Sequence, residues 1–262
     1  MIYICYGITK SASTFLYQLT EESFRTAGRK IIRLGPPLRA SDSVENYFNF
    51  INVDLLSEIQ DLAKGRDIVL KTHGPPLAGI ADLVTSGDIL ASASIRDPRE
   101  IALSMIDHGH RSRQWKSVRF SEFVHVDDTL NALDIQIGIF QSWANIKGVK
   151  TFTYNDICYD SASVVRGIAS HIDAEVDADK VLNKFKSKTT IGQFSKGKAL
   201  RYTELSSEDQ DIFLERYTDL YKAFEFETPN ARQVAEEQKG RTLRASGELV
   251  QHLINFRRRF RI

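Results

Sequence analysis

The residues best suited to chemistry lie in three short clusters, each at the end of an apolar run. The first is Lys10-Ser11-Ala12-Ser13-Thr14, between the run Ile2 to Tyr6 and the apolar pair Phe15-Leu16. A strand that turns straight into a helix aims unpaired backbone N–H groups and the positive end of the helix dipole at one point, so an anion placed there is held by the backbone itself. Lys10 adds a full charge, and Ser11, Ser13 and Thr14 add hydroxyl donors. The lysine precedes the small residues, so this is not the Gly-x4-Gly-Lys-Ser/Thr phosphate loop. The second cluster, Lys71-Thr72-His73, ends the run from Asp67 and is stopped by Gly74-Pro75-Pro76. The third is Arg96, which follows Ile89 to Ile95 and precedes Asp97-Pro98-Arg99-Glu100, a helix opening with proline where a missing N–H does no harm. Lysines at strand ends can neutralise charge on a group in transfer without a metal. A histidine, with an ordinary pKa of about 6.5, can take a proton at neutral pH. Arg96 offers a planar fork of donors to a phosphate, or pairs with Asp97 or Glu100 to fix its own turn.

These clusters need elements that bring them together. Strand and helix patterns alternate, which predicts a three-layer α/β/α fold with a central parallel five-stranded sheet, right-handed crossovers, a phosphate-binding turn after the first strand and a helical C-terminal part. Strands are expected at Ile2 to Tyr6, Lys30 to Leu34, Ile68 to Lys71, Ile89 to Ile95 and Lys150 to Tyr154. Helices are expected at Thr14 to Ala27, Val44 to Lys64, Leu77 to Thr85, Pro98 to His108, Asp127 to Asn145, Ser161 to His171 and Ser206 to Ala223. In an open parallel sheet the C-terminal edge of the strands is the ligand edge, and all three clusters fall on it. The stretch from Gly109 to Val124 is basic and aromatic and reads equally as an acceptor-binding lid or a solvated connection.

With the clusters in this order, the chain resembles the sulfotransferase superfamily, whose members use 3′-phosphoadenosine 5′-phosphosulfate (PAPS). Lys10, Ser11, Ala12, Ser13, Thr14 and Phe15 are similar to its 5′-phosphosulfate loop, with Ala12 in a glycine position and Phe15 in a tryptophan position. Arg96-Asp97-Pro98, with Ser104 eight residues beyond Arg96, resembles its 3′-phosphate motif. Lys71-Thr72-His73 resembles the Lys-Thr-His of the cytosolic branch, whose histidine is the catalytic base. Tyr154, within Thr153-Tyr154-Asn155-Asp156, matches a nucleotide-binding segment, and Ser195, Lys196 and Gly197 match an Arg-Lys-Gly loop that closes over the 3′-phosphate, with serine in place of arginine. The resemblance spans about residues 1 to 225 and implies transfer of a sulfuryl group from PAPS to a hydroxyl of a glycan, glycolipid or small metabolite, releasing adenosine 3′,5′-bisphosphate (PAP). It assigns His73 as base, Lys10 and Lys71 as charge stabilisers, and no metal. A P-loop kinase of a small metabolite and a non-catalytic nucleotide-binding module are the alternatives.

Composition bounds the rest. The 262 residues are 42 % hydrophobic, enough for one sizeable α/β domain at 1–225, and the net charge of +1 gives no general steering toward nucleic acid. Two distant cysteines, Cys5 and Cys158, read as free thiols, and the first strand begins at Ile2 with no apolar run of membrane-spanning length, so a cytoplasmic enzyme is expected. Residues 226–262 form a basic extension. Within it, Arg241, Arg244, Arg257, Arg258, Arg259 and Arg261 accompany an apolar stripe of Leu249, Val250, Leu253, Ile254 and Phe256, suited to packing on the domain, a homo-oligomer contact or a peripheral membrane contact.

Overall fold

Alternation along the first strand sorts the core into two halves. The computed structural model describes residues 1–35, 38, 46–187, 190, 191 and 197–241. Its first half runs β1 (Ile2–Gly7), α1 (Ser13–Thr26), β2 (Ile31–Ile32), β3 (Tyr47–Phe48), α2 (Val53–Ala63), β4 (Asp67–Thr72), α3 (Ile80–Ser86), β5 (Leu90–Ile95) and α4 (Pro98–Gln114). There follow α5 (Val126–Ala144), β6 (Lys150–Thr153), α6 (Tyr154–Tyr159), α7 (Ser161–His171), α8 (Ala178–Asn183), a 3-10 turn (Arg201–Glu204), α9 (Ser207–Arg216) and α10 (Thr218–Ala223). Residues 229–241 form a last described helix, α11.

Ile2, Ile4 and Tyr6 of β1 join one apolar cluster, while Tyr3 and Cys5 join the other, as the two-residue period of a strand requires. β4 repeats the division with Ile68 and Leu70 against Val69. The first cluster is closed by α2 to α5, α9 and α10, through residues such as Leu56, Val84, Met105, Phe140, Phe213 and Leu220. The second is closed by α1, α7 and α8 through Leu16, Leu19, Phe24, Val165, Ile168 and Val181. Two helical layers thus enclose the sheet.

Every strand pair is parallel, in the order β2-β4-β1-β5-β6, with β3 also pairing with β4. β1 is therefore central, and the turn after it is flanked by the ends of β4 and β5, which carry Lys71-Thr72-His73 and Arg96. Both cysteines are free. Among the described residues no helix is long and apolar enough to cross a membrane.

Several boundaries depart from the sequence reading. Among the described residues the sheet has six strands rather than five, because Tyr47 and Phe48 pair with Lys71 and Thr72 inside the segment read as the helix Val44 to Lys64. That helix begins at Val53, where the Asn52 side chain accepts from the Leu55 N–H. Tyr154 opens α6 instead of closing a strand, since Thr153 and Asp156 form a reciprocal capping box. The helix read from Ser206 to Ala223 is broken at Tyr217, whose φ of −120° leaves helical space. α4 runs on to Gln114, so the stretch from Gly109 is helical at its start.

Candidate active site

The turn between β1 and α1 is built from left-handed residues that are not glycine. Lys10 has φ 74° and Ala12, the residue capping α1, has φ 62° and ψ 24°. Such turns gather successive N–H groups on one side, and the first-turn N–H groups of α1 have no partner within the helix. Gly7 lets the turn close on β5, because a Cβ there would lie 2.3 Å from Ser94 Oγ and 2.5 Å from Ser13 Cβ. The Ser11 hydroxyl, fully buried, meets the Ile8 carbonyl at 2.6 Å and Ser94 Oγ at 2.7 Å, so it braces the turn. The Thr9 N–H donates to Gln136 Oε1 on α5 at 2.9 Å. Ser13 and Thr14 are buried in the first turn of α1, and Phe15 packs edge-on against Phe185 with ring centres 5.3 Å apart. A left-handed alanine costs about 1 to 2 kcal/mol, of which a glycine gives back all but its own chain-entropy penalty of about 0.4 to 1 kcal/mol. Ala12→Gly should therefore raise stability by roughly 0.5 kcal/mol in urea titrations. A lowered midpoint at unchanged slope would count against a strained Ala12.

Lys71 and His73 are brought to the same turn. Lys71 is 2 % exposed, its ammonium donates to Thr14 Oγ1 at 2.5 Å and lies 5.9 Å from the Tyr47 ring centre. The His73 ring is 5.5 Å from that of Tyr47, and its Nδ1 meets the Gly7 carbonyl at 2.5 Å. A carbonyl only accepts, so Nδ1 carries the proton and Nε2 keeps the free lone pair. Burial first, then the charges of Lys71 and Lys10, push the His73 pKa down to about 4 despite the Gly7 bond. The imidazole is neutral at pH 7, the form a proton acceptor needs. Next to it the Trp143 indole donates to the Gly74 carbonyl at 2.9 Å and stacks on Tyr6, which holds the strand end in place.

Lys10 points away from β4 toward α4. Its ammonium lies 2.5 Å from His108 Nδ1 and 4.7 Å from the Phe120 ring centre. Burial, Arg111 and Arg96 lower its pKa to about 8, and burial, Lys10, Arg111 and Arg119 lower that of His108. Lys10, His108 and Arg111 have no carboxylate partner among the described residues, whereas Arg96 is paired with Glu100, so the charge at Lys10 favours an anion. Phe120 was not singled out by sequence, since its contact with Lys10 joins positions 110 residues apart, and His108 stood out only as one of several basic residues around the stretch from Gly109.

Arg96 is 6 % exposed and stacks its guanidinium 3.8 Å from the ring centre of Tyr154. Its Nε donates to Glu100 at 2.9 Å, and Nη1 reaches the Lys10 carbonyl only at 3.4 Å. Of the two uses open to Arg96 in the sequence, the Glu100 pair is therefore formed. The other oxygen of Glu100 accepts from the Arg201 N–H, and Arg201 binds Asp107 at 2.8 Å and Glu204 at 2.9 Å. Asp97 instead caps α4 and holds Arg99 and the Tyr221 hydroxyl. Ser104 is half-buried on α4 and makes no side-chain hydrogen bond among the described residues. Ser195 and Lys196 lie outside the described residues. Their neighbour Gly197 accepts from Gln238 Nε2 of α11 at 3.0 Å, while Gln238 Oε1 accepts from the Ala199 N–H at 3.2 Å. The tail from 242 onward, with most of its arginines and its apolar stripe, is likewise outside them.

The same arrangement of layers occurs in solved sulfotransferase structures. Retinol dehydratase in complex with androsterone and the inactive cofactor PAP superposes with a TM-score of 0.53 at 14 % identity, covering 87 % of this chain and 82 % of that one. A mouse sulfotransferase, SULT7A1, complexed with PAP gives a TM-score of 0.55 at 13 % identity over 90 % and 88 % of the two chains. The fold is that of the sulfotransferases. No family model matches the sequence, and no curated protein does.

Proposed function

We propose that this protein is a PAPS-dependent sulfotransferase acting on a hydroxylated acceptor. One observation carries the reading: Lys71 and a neutral His73 of fixed tautomer on the β4 side, and Lys10 on the α4 side, flank one turn on the edge of a sulfotransferase fold. In sulfuryl transfer the acceptor oxygen attacks sulfur, its proton passes to His73 Nε2, and the bond from sulfur to the 5′-phosphate oxygen breaks. Charge then builds on that oxygen, where Lys10 neutralises it while Lys71 holds the sulfuryl oxygens. Ser11, Ala12, Ser13, Thr14 and Phe15 form the 5′ side of the nucleotide site. Arg96 on Tyr154, with Ser104 and Gly197, forms the 3′-phosphate side, a role that the sequence resemblance also gives to Ser195 and Lys196. Support for the nucleotide comes from the uncompensated charge at Lys10 and from the PAP carried by the two structural neighbours.

Calorimetry with PAP, AMP and ATP-Mg2+ tests this reading. PAP should bind most tightly, and a preference for ATP-Mg2+ would overturn the sulfotransferase reading in favour of a kinase. The pH dependence is a sharper expectation, because Lys10 titrates near 8 in the free protein and the bound anion needs it charged. PAP affinity should be flat from about pH 6 to 7.5 and then fall by up to about tenfold per pH unit, with proton uptake on binding. Lys10→Met should weaken binding at pH 7 and remove the slope. A slope that survives in the variant belongs to another group.

A further inference from the structure

The segment after α4 is a fastened strap rather than a free connection. Gly109, on α4, lets it lie directly on the helix, for a Cβ there would sit 2.3 Å from the Phe120 carbonyl oxygen and 2.6 Å from that of Phe123. Arg113 Nη1 donates to Ser121 O at 2.7 Å and to Phe123 O at 3.0 Å, and Phe123 is buried. Phe120 itself is held at φ 60°, a left-handed conformation that a bulky residue keeps only when its surroundings impose it. The result is that the Phe120 ring lies 4.7 Å from both the Lys10 ammonium and the centre of the His108 ring.

The strap also brings charge to the site. Arg119, beside Phe120, acts electrostatically on both Tyr47 and His108, and Arg111 on α4 acts on Lys10 and His108. Neither side chain has an ion pair or hydrogen bond among the described residues. Arg119 thus adds charge felt at both Tyr47 and His108, beyond the Lys10, Lys71 and Arg96 of the proposed nucleotide site. A neutral acceptor would leave these like charges crowded together. An anionic acceptor would be repelled by the nucleotide's phosphates unless extra cations offset that repulsion, and Arg111 and Arg119 supply them.

On the sulfotransferase reading, we propose that the strap 115–124 recognises the acceptor, and that the acceptor bears its own carboxylate or sulfate, held by Arg119 and Arg111 while its body lies against Phe120 and Tyr47. Acceptor pairs in which esterification removes that charge test this in PAPS turnover: 4-hydroxybenzoate with its methyl ester, and phenyl glucuronide with its methyl ester. The anionic member should lead by tenfold or more in kcat/KM at low salt in at least one pair, with the lead shrinking as salt rises. Arg119→Gln should cut that lead at least fivefold through the acceptor KM, with little change in kcat, and Arg119→Glu should reverse it. Equal use of both members in every pair, a lead for the neutral member, or a lead untouched in Arg119→Gln overturns the proposal. So does the absence of turnover in a protein that binds PAP, which leaves the nucleotide reading intact. Failure to bind PAP at all is a failure of that reading instead.

Discussion

Replacing His73 with alanine should lower kcat by about 10² to 10⁴ while PAP affinity changes less than about threefold. The split follows from position. Nε2 is the free nitrogen, directed by the Nδ1 bond to the Gly7 carbonyl, whereas the turn after β1 is braced by Ser11 on the Ile8 carbonyl and on Ser94, contacts that do not involve the imidazole. The wild-type pH profile carries a second mark of the same residue. Because the imidazole titrates near 4 in the free protein, kcat/KM should hold level down to about pH 5 instead of falling through the ordinary histidine range. Below that, protonation removes the lone pair and activity declines. Added imidazole should restore part of the lost rate in His73→Ala. Retention of most activity in that variant would assign the base to another group, and a decline centred near pH 6.5 would remove the low pKa.

Arg96 is the second position where one substitution should have a large effect, and the network around it decides which substitution is informative. Alanine would strand the Glu100 carboxylate in a buried site and cost about 3 to 5 kcal/mol of stability, mixing folding with binding. Lysine keeps the charge beside Glu100 but loses the planar fork and the stack on Tyr154. In the wild type, Glu100 holds the Nε edge, and Nη1 makes only its 3.4 Å contact to Lys10, so the terminal edge of the guanidinium is the one left for the phosphate of the proposed site. Charge-assisted hydrogen bonds there are worth about 1.5 to 3 kcal/mol each, or tenfold and more in affinity. PAP should therefore bind at least tenfold more tightly than AMP, and Arg96→Lys should erase most of that margin with AMP affinity nearly unchanged. Calorimetry at matched ionic strength, beside a melting curve, measures both. Equal binding of the two nucleotides by the wild type would remove the 3′-phosphate site.

Legibility in the sequence followed the range of the interaction. β1, β4 and β5 were readable because their side chains alternate or run apolar over six residues, and the loop, Lys71, His73 and Arg96 because each lies within a few residues of a strand end. β3 has two residues, too few for any period to register, and exists because Lys71 and Thr72 offer it a parallel partner. Gly109 suggested a helix end, yet α4 continues through it, since the glycine makes room for the strap instead of stopping the helix. Phe120 and Arg201 reach the site only through tertiary packing, and no local pattern marks them, while His108 was visible as a basic residue but not as the neighbour of Lys10. Glu100 is an intermediate case, four residues from Arg96 on the same helix opening and already visible as its partner, although not as the link to Arg201.

The Gln238 bridge has a consequence for how the protein comes into being on the ribosome. The strands of the sheet end at Thr153, so the sheet and its central turn can assemble while the last hundred or so residues are still to be made. The backbone at Gly197 and Ala199 receives its two bonds from Gln238 only after α11 has emerged. A nascent chain therefore carries the turn after β1 well before the backbone at Gly197 and Ala199 is braced, and a ligand of the proposed site would favour the folded state fully only once synthesis is nearly complete.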